Sequence, residues 1–355
     1  MSKAGGNAEG QPGGKTLFPH LPYDLATEVV AARNRIGRFI RRTPLIHSRP
    51  LSGFARCNVY LKLECLQHTG TFKFRGAMNK LQSLPSEVRA KGAVAASTGN
   101  HGLAVAYALS KLGCDGAVFV PETTAENRVV AIEDYGVKVF KRGPDSKTAQ
   151  SHARAYATEQ GMTFLPPYND PMVVAGQGTA AYEIHEQCDA ENIDAVFACL
   201  GGGGMISGIT GYLKALMPDV KSYGCSPANS PGMIACLEAG EIVGIDRKPT
   251  LADGSNSGSI VPGAITFDLC RKLVDRTAKI TEEEIASALA TFVEQHHILI
   301  DASAAVAVAG FYRHAAELRD KNVVIIICGS NIPLDVVSRI FTDHLTRRAT
   351  REYKE

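Results

Sequence analysis

Four short stretches of the chain carry residue types that could do chemistry. The first runs from Leu61 to Ala77 and centres on Lys73, which follows Thr69-Gly70-Thr71-Phe72 and precedes Phe74-Arg75-Gly76-Ala77. A turn at Thr69-Gly70, with a helix starting beside Lys73, would hold its amine near a helix N-terminus and partly out of water. Both effects lower the pKa of an amine and make the neutral nucleophile accessible. The bland alternative is a lysine whose stem lies along a helix with its charge in water. The second stretch is Gly201-Gly202-Gly203-Gly204, placed after an apolar run ending at Leu200 and before a helical pattern starting near Met205. Glycines there let several backbone N–H groups converge on one anion at a helix N-terminus. No Lys-Ser/Thr pair follows, and the spacing is not that of a dinucleotide loop. A flexible turn is the alternative. The third stretch, Ser97-Thr98-Gly99-Asn100-His101-Gly102, could hold a carboxylate through the Ser97 hydroxyl, the Asn100 amide and free N–H groups, or could only cap a helix. In the fourth, Cys328-Gly329-Ser330-Asn331, a cysteine ends a strand. It could be packing, or a neutral group facing a cofactor nitrogen.

The elements that must position these stretches alternate in type. Strands are expected at 59–63, 92–97, 115–121, 137–140, 162–165, 194–200, 220–225 and 322–328. Helices are expected at 24–41, 103–112, 125–135, 146–159, 172–188, 205–216, 281–295 and 304–318. Residues 98–102 and 226–265 read as loops, the latter around a short helix at 233–239. Short apolar strands between longer helices predict an α/β chain with two parallel-sheet, three-layer domains and a cleft between them. Ligands in such folds bind beyond the carboxyl ends of the strands. The expected division is a disordered tail at 1–19, a large domain of 20–91 plus 169–355, and a small domain of 92–168. The four stretches together fit pyridoxal 5′-phosphate held by a lysine, with the cofactor acting as electron sink for amino-acid chemistry.

Composition narrows the partners. A formal net charge of +2 over 355 residues gives no reason to expect nucleic acid or an anionic membrane. No apolar run suggests a transmembrane span. Nine cysteines lie without paired spacing, which predicts free thiols and a cytoplasmic protein. His296-His297, at a helix end, is expected to face the helix dipole.

Residues 22–345 resemble the fold-type II (tryptophan-synthase-β-like) pyridoxal-phosphate enzymes, in the serine/threonine dehydratase and serine racemase branch. The resemblance rests on Thr69 to Ala77, Ser97 to Gly102, Gly201 to Met205 and Ala252-Asp253-Gly254. It implies Lys73 as Schiff-base lysine and Phe72 packing on the cofactor ring. Asn100 is implied at the cofactor's 3′-oxygen, and Gly201, Gly202, Gly203, Gly204 and Met205 at its phosphate. Cys328 would face the pyridine nitrogen. Ser97, Asn100, His101 and Gly254 would lie against an amino-acid substrate. The implied activity is dehydration and deamination of a β-hydroxy amino acid, threonine- or serine-like or a bulkier or acidic analogue such as 3-hydroxyaspartate or a hydroxyectoine-pathway intermediate. Thr98, across the substrate from Lys73, leaves an amino-acid racemase as the alternative. Ser226 stands where metal-stimulated relatives place a carboxylate, so no metal is expected. Asp301 stands where the family often has Glu. A homodimer or homotetramer is implied.

Overall fold

The computed structural model describes residues 24–352, apart from Thr98, Glu191 and 256–259. The segment expected to be a disordered tail lies outside the described residues. Among the described residues ten strands form two sheets: β1 (Leu45–His47), β2 (Asn58–Lys62), β3 (Ala93–Ala96), β4 (Gly116–Val120), β5 (Lys138–Lys141), β6 (Thr163–Phe164), β7 (Ala195–Cys199), β8 (Lys221–Pro227), β9 (Arg276–Ile280) and β10 (Asn322–Ile326). The larger sheet has the order β1-β2-β10-β7-β8-β9 and the smaller β5-β4-β3-β6. Every neighbouring pair is parallel except β1 and β2, which pair antiparallel with Leu45 opposite Lys62. The link between β1 and β2, built around the helix Arg49–Ala55, is too short for a parallel crossover. β7 and β10 are buried throughout or nearly so, as parallel strands covered on both faces must be.

The helix Lys73–Ser83 stands at the junction of the two layers systems. Its Phe74, Ala77, Met78 and Leu81 enter the core of the smaller sheet. Its other face meets the helix Pro171–Gln187 at close range. A Cβ at Gly76 would come within 2.3 Å of Gln177 Nε2, and one at Gly176 within 2.7 Å of the Arg75 carbonyl. Small residues here allow two backbones to approach, and larger ones would push the Lys73 helix away from its seat.

Three local expectations need correction. The helix after β3 starts at Asn100 rather than Leu103, because its first turn packs onto the preceding strand end. A Cβ at Gly102 would meet the Ser97 carbonyl at 2.6 Å. The stretch expected to be loop as far as residue 265 ends in a helix, Ile265–Leu273, and strand β9 follows it; neither element was among those expected. His296 is half-buried: burial lowers its pKa, its Nδ1 faces the Phe292 carbonyl at 3.0 Å and its Nε2 the Ser48 hydroxyl at 2.7 Å. It is a bridge between elements, not a charge on the dipole.

Candidate active site

Four carboxyl-end loops converge: those after β3, β6, β7 and β10. Lys73 is brought to them by its own segment, which pairs with the end of β10. Thr71 forms an antiparallel bridge with Gly329, and the Phe72 N–H donates to the Cys328 carbonyl at 3.1 Å. The preceding turn needs left-handed backbone at Thr69 (φ 62°) and Gly70 (φ 70°). Gly70 has a second reason to be glycine, since a Cβ there would lie 2.9 Å from Asn331 Oδ1.

The Lys73 amine donates to the Pro167 carbonyl at 3.0 Å and lies 4.9 Å from the centre of the Phe72 ring. Burial lowers its pKa to about 8, with the Cys328 and Cys199 thiols acting weakly in the other direction. A carbonyl accepts from either form of the amine, so nothing at this contact locks the proton on.

Tyr168, next to Pro167, ties the amine to the glycine loop. A Cβ on Gly202 would lie 2.3 Å from Tyr168 Cδ1. Gly203 (φ 87°) is the N-cap of the helix Gly204–Leu216 and offers no side chain to its first turn. The opening N–H groups of that helix have no intrahelical acceptor. A helix start left uncapped, with no room for side chains on the loop leading to it, fits a phosphate group. Sequence reading missed Tyr168. Its one signal was position, at the carboxyl end of β6.

Asn100 opens the helix Asn100–Leu112 and is held from two sides. Its Oδ1 accepts from Asn331 Nδ2 at 2.7 Å, and its amide donates to Asp301. These contacts fix the amide's orientation and leave one N–H of Nδ2 for a further acceptor. Asp301 caps the helix Ala302–His314, accepting from the Ala304 N–H at 2.8 Å. Burial raises its pKa to about 6, against the pull of the Ala304 N–H and the Asn100 amide. Gly254 lies here too: a Cβ on it would stand 3.5 Å from Asn100 Nδ2.

His101 is buried with Nε2 2.9 Å from the Leu165 carbonyl, so that nitrogen carries the proton. Burial, then the charge of Lys73, push its pKa down to about 3. Its ring nitrogen Nε2 is therefore spent on Leu165, just past β6, leaving the backbone N–H as this residue's donor to a ligand. Ser97 Oγ accepts from the Gly99 N–H at 3.3 Å. Thr98, the expected partner of Lys73, lies outside the described residues. Cys328 is buried and unpaired. Burial first, then Asp301 and neighbouring thiols, raise its pKa well above the ordinary value, which keeps it a neutral thiol. Ser226 is buried and donates to the Leu200 carbonyl at 2.5 Å. Among the described residues no cluster of three His, Cys, Asp or Glu side chains could hold a metal. Beyond Asn100 a cavity of about 780 Å³ opens outward, lined in part by Gly254, Asp301, Ser303 and Arg128.

The donor set fits pyridoxal phosphate: an amine able to lose its proton, an uncapped helix start and a neutral thiol. Comparisons with known proteins agree. The family described as "Pyridoxal-phosphate dependent enzyme" matches residues 36–329. The L-threonine ammonia-lyase of Thermotoga maritima is 36% identical over 328 residues, covering 92% of this chain and 80% of that protein. Among solved structures, the processed form of threonine deaminase isoform 2 from Solanum lycopersicum superposes with a TM-score of 0.85 at 30% identity, covering 92% of this chain and 88% of that one. Serine racemase from Dictyostelium discoideum does so with a TM-score of 0.80 at 32% identity, covering 87% and 98%. The match spans both sheets, Lys73 and the loops after β3, β6 and β7, and on that ground the chain belongs to the pyridoxal-phosphate-dependent enzymes.

Proposed function

We propose that this enzyme is an ammonia-lyase of β-hydroxy amino acids, with L-threonine and L-serine as first substrates. The observation that carries the reading is the Lys73 amine, part-buried and, among the described residues, bonded to a carbonyl and not to a carboxylate, in a chain 36% identical to an L-threonine ammonia-lyase. Pyridoxal 5′-phosphate, when bound, supplies the electron sink for the substrate's α-carbon. Lys73 anchors it and, as the free amine, takes the α-proton at Nζ. Phe72 packs beside the ring. The unused Nδ2–H of Asn100 would donate to the cofactor's 3′-oxygen. The N–H groups of Gly201 to Met205 hold the phosphate. Cys328, a neutral thiol, leaves the pyridine nitrogen unprotonated. The Ser97 hydroxyl and the backbone N–H groups of Asn100 and His101 receive the substrate carboxylate, with Gly254 on the substrate side. In the net reaction the β-carbon–oxygen bond breaks, the α-proton is lost, and the released enamine takes up water to give a 2-oxo acid and ammonium.

The two sheets support a division into a large domain, 20–91 with 169–355, and a small one, 92–168. Nine unpaired cysteines support a reducing, cytoplasmic setting, and no described helix is long and apolar enough to cross a membrane. A homodimer or homotetramer is the working assembly, open to measurement by light scattering.

Racemisation by Lys73 and Thr98 on opposite faces is the second reading, favoured by the likeness to serine racemase. Incubation with L-serine in deuterated water separates the two. Pyruvate and ammonium are expected; deuterated D-serine without pyruvate would overturn the lyase assignment.

A further inference from the structure

Beneath Lys73 lies a cluster of four charges that the chemistry above does not use. Arg75 places Nε 2.6 Å from Glu64 Oε2 and Nη2 2.8 Å from Glu64 Oε1. The same guanidinium reaches Glu183 through Nη1 and Nη2, both at 2.8 Å. Lys62 Nζ donates to Glu183 Oε2 at 2.7 Å, to the Thr43 carbonyl at 2.8 Å and to Gln187 Oε1 at 2.8 Å. Thr43 Oγ1 donates to Glu64 Oε1 at 2.6 Å. All four charged side chains are wholly buried, and two cations balance two carboxylates.

A buried cluster of this kind is a weak source of stability, since well-packed apolar residues in its place are often neutral or better. What it does supply is direction. The fork of Arg75 can satisfy both carboxylates in one orientation only. Glu64 lies just past β2, and Glu183 on the helix Pro171–Gln187, so the fork ties the first turn of the Lys73 helix to both. On the other side of Lys73, Thr71 and Phe72 are tied to Gly329 and Cys328. Lys73 is thus the residue between two fixed points.

We propose that Arg75, clamped by Glu64 and Glu183, is a positioning residue that aims the Lys73 amine, an inference that rests on Lys73 being the cofactor's anchor. A site of this kind must be held to within about 0.5 Å, and misplacement by about 1 Å can cost about a hundredfold.

The test replaces the cluster with apolar residues in the full chain: Lys62→Met, Glu64→Leu, Arg75→Met and Glu183→Leu together, with Arg75→Lys as a second variant that keeps the charge and loses the fork. Four quantities are read: melting temperature, affinity for pyridoxal 5′-phosphate, the rate at which borohydride fixes that probe to the Lys73 peptide, and kcat and KM on L-threonine. The apolar variant should melt near the wild type, while trapping and kcat fall together by about tenfold to a hundredfold and KM changes little. Arg75→Lys should fall between. A folded apolar variant with unchanged trapping and kcat would overturn the proposal. If that variant does not fold, a folded Arg75→Lys with wild-type trapping would overturn it equally. Loss of folding in both would assign the cluster to stability and also end the proposal. Failure of the wild-type chain to form any adduct at Lys73 would instead sink the anchor reading.

Discussion

Lys62 and Lys73 sit at the ends of one short stretch and both carry an amine into the protein, yet their neighbourhoods are built on opposite plans. Lys62 is surrounded by acceptors that include a carboxylate, and its charge belongs to a neutral four-member cluster. Burial lowers its pKa, while Glu64 and Glu183 act against that shift. Lys73 receives burial with, among the described residues, no carboxylate acting against it and the Pro167 carbonyl as its acceptor. Asp301 follows the same plan with the opposite sign: it is buried, bonded to neutral donors, and raised to about 6. The protein thus separates charges that must stay from charges that must be able to leave. Partners set the difference, because burial lowers the pKa of both amines and only Lys62 has carboxylates acting against it.

The largest effect that would sharpen this contrast is on turnover. Lys73→Ala should cut 2-oxo-acid release from L-threonine by about a thousandfold or more and eliminate the borohydride-fixed adduct. Substantial residual turnover would remove Lys73 from its assigned role.

Stability should show the reverse ranking. Glu183→Ala leaves Lys62 and Arg75 without their shared carboxylate, and should cost about 3–5 kcal/mol in urea unfolding. Lys73→Met removes an amine bonded to a carbonyl and not to a carboxylate and should cost little or stabilise at neutral pH. Equal losses in the two variants would break the comparison.

A smaller effect is expected at the glycine loop. Gly202→Ala puts a methyl against the Tyr168 ring and should weaken pyridoxal 5′-phosphate binding about tenfold or more, without moving the melting temperature of the cofactor-free protein by more than about 2–4 °C. Titration by fluorescence measures it.

The smallest is a pH effect. Below about 8 the Lys73 amine is protonated in the folded chain, so capture of the cofactor should rise about tenfold per pH unit up to that point and then level. The sign for stability follows from linkage. Lys73 is depressed in the folded state, so its penalty is full below about 8 and disappears as the pH approaches the unfolded value of 10.5. The stability advantage of Lys73→Met over the wild type should narrow across that window. An advantage that stays constant would show that burial of the amine is not its cause.

Much of this was legible in the chain itself. Alternating apolar runs and helical patterns set the α/β class, because parallel strands buried on both faces have no other way to read. Glycines at 201–204 and the Thr69-Gly70 turn marked loops by the backbone they permit, and Lys73 declared itself by lying between such a turn and a helix start. The resemblance to a known family then joined these stretches, which distance along the chain had kept apart. What the sequence could not give was partnership. Nothing in the letters distinguishes Lys62, paired with a carboxylate 121 positions on, from Lys73, paired with a carbonyl 94 positions on. Nor could they show that Tyr168 fills the space beside Gly202, that Asn331 and Asp301 fix the Asn100 amide, or that His101 turns its ring to Leu165. The sequence by itself determined which residues could do chemistry and which loops carry them, since both depend on local backbone and residue type. Only the tertiary structure decided which buried charges are paired and which are left able to change. That depends on contacts across the whole chain, and in a medium where burial penalises every charge, contacts set each group's state.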